Sequence, residues 1–274
     1  MPLSRYFTQN YQRAFGTFPL KDDALRDALS TAIDVGYRAI DTAQFYENEA
    51  EVGETIAHAG IPRDAFCITT KVKPQNFAEA DFIPSVEQSL KHLRLDEVDV
   101  LLLHWPTPGG DIAASLRLLE AAQRQGLTRH IGVSNYTGAM LRQAQTVIDT
   151  PIITNQVEFH PLLDQSRLLQ AANETGIPLS AYCSVARGAV FKHRLFDELA
   201  QVYGKTPGQI VLRWILQQGV SINTMSTRRA NIEANYNIMD FTLSSPDMAR
   251  ISALTATGLR IVNHDKVPWA PDWD

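Results

Sequence analysis

Cysteine is scarce in this chain. Cys67 and Cys183 are the only two among 274 residues, and both lie in apolar segments. Neither a disulfide framework nor a metal-type Cys spacing is available, and a reducing cytoplasm is the expected compartment. Charge of one sign is also lacking: 25 Lys and Arg stand against 30 Asp and Glu, a net of −5, with no basic stripe for nucleic acid or anionic lipid. No run approaches the roughly eighteen apolar residues of a membrane span, and the opening MPLSRYFTQNYQRAF has no continuous apolar core of an export signal. The seven histidines are scattered without HExxH or paired ligand spacing, and neither GxGxxG nor GxxxxGKS/T occurs. A Rossmann domain, a P-loop and a resident metal are thereby disfavoured. The expected partner is a small soluble molecule, not nucleic acid or membrane, and the expected state is a monomer or at most a weak dimer.

What the sequence does contain is alternation. With 45% hydrophobic residues the chain can bury a large core, and short Val/Ile/Leu runs alternate with longer segments of helical period almost to the end. Candidate strands are Arg38–Asp41, Cys67–Val72, Val98–Trp105, His130–Ser134, Ile152–Phe159, Pro178–Cys183 and Val220–Thr224, with a shorter one at Phe15–Phe18. The first helix is expected to be capped by Asp22 or Asp23, to bury Leu25, Leu29, Ala32 and Ile33, and to stop at Gly36. No linker or low-complexity tract divides the chain. Eight strand–helix units in one domain, residues 1–274, match a (β/α)₈ TIM barrel. A doubly wound open sheet is the alternative.

Barrels of this kind build their sites at the C-terminal ends of the strands. In RAIDTAQFYENE the second strand ends at Asp41, with Tyr46 five residues on. The third strand ends in TTK at Lys71, and VDVLLLHWP closes the fourth at His104. Each residue alone has an ordinary explanation: a turn Asp, a rim Lys, a hydrogen-bonded core His, an amphipathic Tyr. Together they have a chemical one. Tyrosine, with a reference pKa of about 10, is a poor acid near neutrality, and an adjacent ammonium stabilises its anion. Asp41 would hold Lys71 charged and in place, Tyr46 would donate a proton, and His104 would hydrogen-bond the same substrate oxygen.

IDTAQFYENE, TTK, LLLHWP, GVSN, NQVEFHP and AYCSVARG follow one another across nearly the whole chain. In this order they resemble the aldo-keto reductase family, and within it the bacterial 2,5-diketo-D-gluconate reductase group, the terminal WAPDWD included. The resemblance implies a barrel that binds NADPH in extended form and a tetrad of Asp41, Tyr46, Lys71 and His104. It further implies that Ser134, Asn135 and Gln156 hydrogen-bond the nicotinamide carboxamide and that Tyr182 stacks on its ring. Trp105 is a candidate substrate contact, and residues 257–274 are expected as a C-terminal tail near the mouth.

Three departures stand out. Where the family has Ile-Pro-Lys-Ser, then Arg and Glu-Asn, this chain reads INTMSTRRANIEAN. Met225 replaces the Lys, Asn231 the Arg and Ala234 the Glu, while Ser226 and Asn235 are kept. Arg228 and Arg229, beside Ser226 and Thr227 where the last helix is expected to begin, are the candidate phosphate ligands; a solvated surface is the other reading. Lys73 stands where relatives often carry an aromatic residue. It is expected either to face the mouth and favour anionic substrates or to point to solvent. The segment YQRAFGTF is irregular against the usual Gly-Leu-Gly-Thr. The function expected is NADPH-dependent reduction of keto acids, dicarbonyls or keto sugars with Tyr46 as proton donor. Its rival is a cofactor-sensing binding protein on the same barrel, like the potassium-channel β-subunits; the intact tetrad favours catalysis.

Overall fold

Strands covered on both faces have no solvent side to mark with polar residues. A computed structural model describes residues 12–274 and shows eight such strands closed into a ring. Residues 1–11, which hold most of the stretch read for an export signal, lie outside the described residues. The strands are β1 (Arg13–Gly16), β2 (Ala39–Asp41), β3 (Cys67–Val72), β4 (Val98–Leu103), β5 (Thr128–Ser134), β6 (Ile152–Glu158), β7 (Leu179–Tyr182) and β8 (Ser221–Thr224). Each pairs in parallel with the next, and β1 pairs with β8 through Ala14 and Asn223. That last ladder makes the fold a (β/α)₈ barrel and rules out the open sheet.

Strand β1 begins and ends two residues earlier than the sequence suggests. Phe15 pairs with Ile40 and Gly16 with Asp41. The chain then turns, Leu20 N donating to Thr17 O at 2.8 Å. Pro19 has no N–H to extend a ladder. Helix α1 (Asp22–Val35) also differs at its start: Lys21 occupies the cap position, and both aspartates lie in the first turn, where they complement the helix dipole. Its end is as expected, Gly36 adopting φ 122°. A Cβ there would come within 2.9 Å of the Tyr236 hydroxyl, so glycine is required by backbone and space together.

Period-two alternation decides what faces the lumen. The row Ala39–Asp41 on β2 aligns with Cys67–Thr69–Lys71 on β3 and Val100–Leu102 on β4, and the same phase continues to His104. Ala39, Cys67, Val100 and Leu102 form a small apolar cluster inside the barrel, while the intervening Ile40, Ile68, Val72, Leu101 and Leu103 join the core beneath the helices. This apolar cluster lines one side of the lumen, Thr154 and Ser180, hydrogen-bonded at 3.1 Å, line the other, and Asp41, Lys71 and Gln156 stand at the C-terminal end. Among the described residues, no helix is long and apolar enough to cross a membrane.

Candidate active site

Lys71 is wholly buried, yet all three of its protons are used. Nζ donates to Asp41 Oδ1 at 2.5 Å, to the Thr42 carbonyl at 3.0 Å and to the Tyr46 hydroxyl at 3.3 Å. The second Asp41 oxygen accepts from Gln156 Nε2 at 2.7 Å. Burial disfavours the Lys71 charge, but Asp41 and Tyr46 together outweigh it and raise its pKa, so the ammonium persists.

Tyr46 stands on a 3₁₀ turn, Gln44–Tyr46, that side chains from elsewhere hold in shape. Asn48, fully buried, donates to Leu20 O at 2.9 Å and accepts from Thr42 Oγ1 at 2.6 Å. Gln44 accepts from Lys73 N at 3.1 Å and Asn76 Nδ2 at 2.9 Å. Burial pushes the Tyr46 phenol above its ordinary value, with Lys71 pulling it back and Asp41 adding to the rise. The lowering expected from Lys71 is therefore present but outweighed, and the phenol is held in its proton-bearing form.

His104 lies one residue beyond β4, its N donating to Val72 O at 3.0 Å. Its ring meets that of Tyr46 edge-on, centroids 5.6 Å apart. Burial, and then the Lys71 charge, hold its pKa well below the ordinary value, so the imidazole is neutral. Nδ1 is buried and has no hydrogen-bond partner among the described residues.

The proposed carboxamide ligands sit beside this group. Asn135, in the left-handed region at φ 62°, donates to His104 O and Ser134 Oγ, each at 3.1 Å, and accepts from the Tyr182 hydroxyl at 2.6 Å. Ser134 Oγ donates to Gln156 O at 2.7 Å. Ser134, Asn135, Gln156 and Tyr182 thus form a connected polar shelf next to Asp41 and His104. Trp105 is nearly buried and packs on Trp273, ring centroids 6.2 Å apart. Lys73 lies at the start of a 3₁₀ turn, Pro74–Asn76. Its backbone N donates to Gln44 Oε1 at 3.1 Å, and Glu47, on the loop that carries Tyr46, is paired with Lys21 at 2.8 Å.

The segment after β8 departs from expectation. Arg228 and Arg229 open helix α2 (Arg229–Tyr236), which is not the last: α3 (Ser245–Ser252) follows, begun by a Ser244 cap and Pro246. Arg229 is bound to Glu233 at 3.2 Å and to Asp34 at 3.4 Å. The Arg228 side chain is exposed, and its backbone N donates to Ser226 Oγ at 3.2 Å. Thr227 is exposed, Ser226 and Asn235 partly so.

Sequence reasoning missed Glu158 and His160, although NQVEFHP displays both. They are fully buried, with His160 Nε2 2.9 Å from Glu158 Oε1. The same carboxylate accepts from the backbone N–H of Ile261 at 2.6 Å and of Val262 at 2.8 Å, fastening the C-terminal segment to the end of β6.

A parallel barrel thus carries a buried Asp41–Lys71–Tyr46 group, with His104 against Tyr46, at the C-terminal ends of its strands. Residues 13–256 match the family model described as aldo/keto reductase family. The chain is 38% identical over 262 residues to methylglyoxal reductase DkgB of Escherichia coli O157:H7, covering 94% of this chain and 97% of the relative. Among solved structures, a candidate 2,5-diketo-D-gluconic acid reductase B superposes with a TM-score of 0.91 at 41% identity, covering 97% of this chain and 95% of that one. The Bombyx mori aldo-keto reductase in complex with NADP gives 0.86 at 29% identity, covering 94% of each. The chain belongs to the aldo/keto reductase family.

Proposed function

We propose that this protein reduces small carbonyl compounds with NADPH, Tyr46 being the proton donor, and that keto acids, dicarbonyls and keto sugars are its substrate class. One observation carries the reading: a buried ammonium, Lys71, is shared between Asp41 and the Tyr46 hydroxyl beside a neutral histidine whose Nδ1 has no hydrogen-bond partner among the described residues. The polar shelf of Ser134, Asn135 and Gln156, with Tyr182 alongside, has the donors and acceptors a carboxamide needs, and Arg228 with Ser226 offers a phosphate a cation and a hydroxyl. When bound, NADPH supplies the hydride that reaches the carbonyl carbon. Tyr46 gives its proton to the carbonyl oxygen as negative charge develops there, and Lys71 stabilises the phenolate left behind. His104, neutral, orients the carbonyl by hydrogen bonding to the same oxygen. Asp41 keeps Lys71 charged and aimed, and Gln156 keeps Asp41 in position.

Steady-state NADPH oxidation against a panel of keto acids, dicarbonyls and keto sugars tests this directly. Carbonyl-dependent oxidation with at least one class is expected; a folded protein that binds NADPH and turns over none of them would refute it.

Cofactor preference gives a finer expectation. Since Arg229 is engaged by Asp34 and Glu233 while Arg228 makes no ion pair among the described residues, the 2′-phosphate should depend mainly on Arg228. Arg228→Ala should weaken NADPH binding roughly ten-fold or more and NADH binding little, the loss of a charge-assisted contact. Arg229→Ala should do less. Fluorescence titration with both cofactors decides it: equal weakening of both would place Arg228 in a structural role, and a wild type favouring NADH would remove the premise.

A further inference from the structure

We infer that Glu49 is a positioning residue for proton donation: its buried carboxylate ties the turn that carries Tyr46 to the strand that carries Lys71, and so sets the distance between acid and ammonium. The inference rests on the proposed function and adds to it a residue that stands outside the barrel lumen.

Glu49 follows Asn48, whose side chain braces the Tyr46 turn, and it opens the helix Glu49–His58. It is only 5% exposed. Side chains alternate along β3, so Lys71 points into the barrel while Thr70 points out towards the helices, in phase with Ile68 and Val72. There Thr70 Oγ1 donates to Glu49 Oε1 at 2.5 Å. One bond therefore joins the residue three after Tyr46 to the residue just before Lys71.

A second tie runs through the helix Glu79–Leu93. Ser89 is a hydrogen-bonding neighbour of the Glu49 carboxylate and draws its pKa down, and Ser89 Oγ accepts from Gln44 Nε2 at 3.2 Å. Gln44 begins the 3₁₀ turn that ends at Tyr46. His92, on the same helix as Ser89, places Nδ1 3.9 Å from Glu49 Oε2. The two helices are pressed together at this point. One turn along from Glu49, a Cβ on Gly53 would lie 2.5 Å from the carbonyl carbon and oxygen of Leu93, so glycine is what lets the start of one helix lie against the end of the other.

A carboxylate in such a place is costly. Burial, the largest influence, raises its pKa, and Thr70, Ser89 and His92 draw it part of the way back. Among the described residues no Lys or Arg comes within ion-pair distance of it. A leucine would fill similar space without that cost. What leucine cannot do is accept hydrogen bonds. With Glu49 accepting, the turn that bears the acid and the strand that bears the ammonium are held in one register. The separation so fixed is the 3.3 Å from Lys71 Nζ to the Tyr46 hydroxyl, and it decides how strongly the ammonium favours the phenolate.

The test sets Glu49→Leu against Glu49→Gln, which keeps an oxygen for Thr70. With a carbonyl that the wild type reduces, Glu49→Leu should lower kcat roughly ten-fold or more, as misplacement of a reacting group does, while KM for NADPH stays within about two-fold. The alkaline limb of the rate should move to higher pH, because an ammonium held further from the phenol lowers its pKa less. Glu49→Gln should keep at least about half of the wild-type kcat. If Glu49→Leu does not fold, the other partner serves: Thr70→Val should repeat the losses and Thr70→Ser the rescue. Wild-type kcat in a folded Glu49→Leu, or in Thr70→Val standing in for it, would overturn the inference. So would a loss of kcat with an unmoved alkaline limb, or Glu49→Gln no better than Glu49→Leu, since either describes a strut of the fold and not a tie between acid and ammonium. A wild type that reduces no carbonyl fails the proposed function and this inference with it, whereas an active wild type beside unimpaired variants fails the inference alone.

Discussion

Tyr46→Phe should lose at least ~10²-fold in carbonyl reduction, the usual contribution of a positioned general acid, while NADPH binding stays nearly unchanged. The substitution removes one oxygen. The ring keeps its packing on Phe18, centroids 5.1 Å apart, and its edge contact with His104. Among the described residues the hydroxyl's one hydrogen bond is the 3.3 Å contact from Lys71, and Lys71 retains its shorter bonds to Asp41 and Thr42. Folding should therefore be almost untouched, and the fall in rate reads the loss of the acid alone. If kcat with a good carbonyl substrate stayed above about a tenth of wild type, another group would be supplying the proton. Neutral His104 would be the first to consider.

The parts of this site legible in the sequence are those that interrupt a pattern. Asp41, Lys71 and His104 break apolar runs at the ends of three consecutive strands, and strand alternation places them in one phase. Their convergence therefore follows once the barrel is assumed. Hidden in the sequence were the contacts that shape the loops. The turn carrying Tyr46 is held by Asn48 reaching Leu20 and by Gln44 reaching Ser85, Ser89 and the Lys73 amide. Each depends on where segments 28 to 45 residues away come to lie, Leu20 in the turn before α1 and Ser85 and Ser89 within the helix Glu79–Leu93. The partners of Glu158 lie 103 and 104 residues further along the chain, and Arg229 is claimed by an Asp34 that is 195 residues away. A cation beside a helix start looks available until the fold brings up its carboxylate. The early start of β1 has the same origin: it is set by the ladder to Ala39–Asp41 and by the turn before Pro19, whereas the local apolar pattern of Phe15–Phe18 pointed elsewhere.

Lys71→Met should abolish most activity and also destabilise the fold, and a second substitution separates the two effects. Asp41 and Lys71 are both buried. Removing one partner of a buried pair leaves the other charge uncompensated, at a cost of about 3–5 kcal/mol. In Lys71→Met, Asp41 would keep, among the described residues, only the Gln156 amide as a side-chain donor. Adding Asp41→Asn removes that stranded charge while leaving an amide oxygen for Gln156 to bond. Urea unfolding should accordingly show the double variant recovering more than half of the stability lost by the single one. Activity should not recover, because neither variant has an ammonium beside the Tyr46 hydroxyl. The residual rate carries a further sign. With Lys71 gone, burial and Asp41 still raise the phenol's pKa and nothing opposes them. The alkaline limb of the reduction rate, where the proton donor is lost, should therefore move to higher pH in Lys71→Met, and less so once Asp41→Asn removes its share of the rise. An unchanged alkaline limb in an active Lys71→Met protein would detach the lysine from the acid, and a single variant as stable as wild type would show that water reaches the pair.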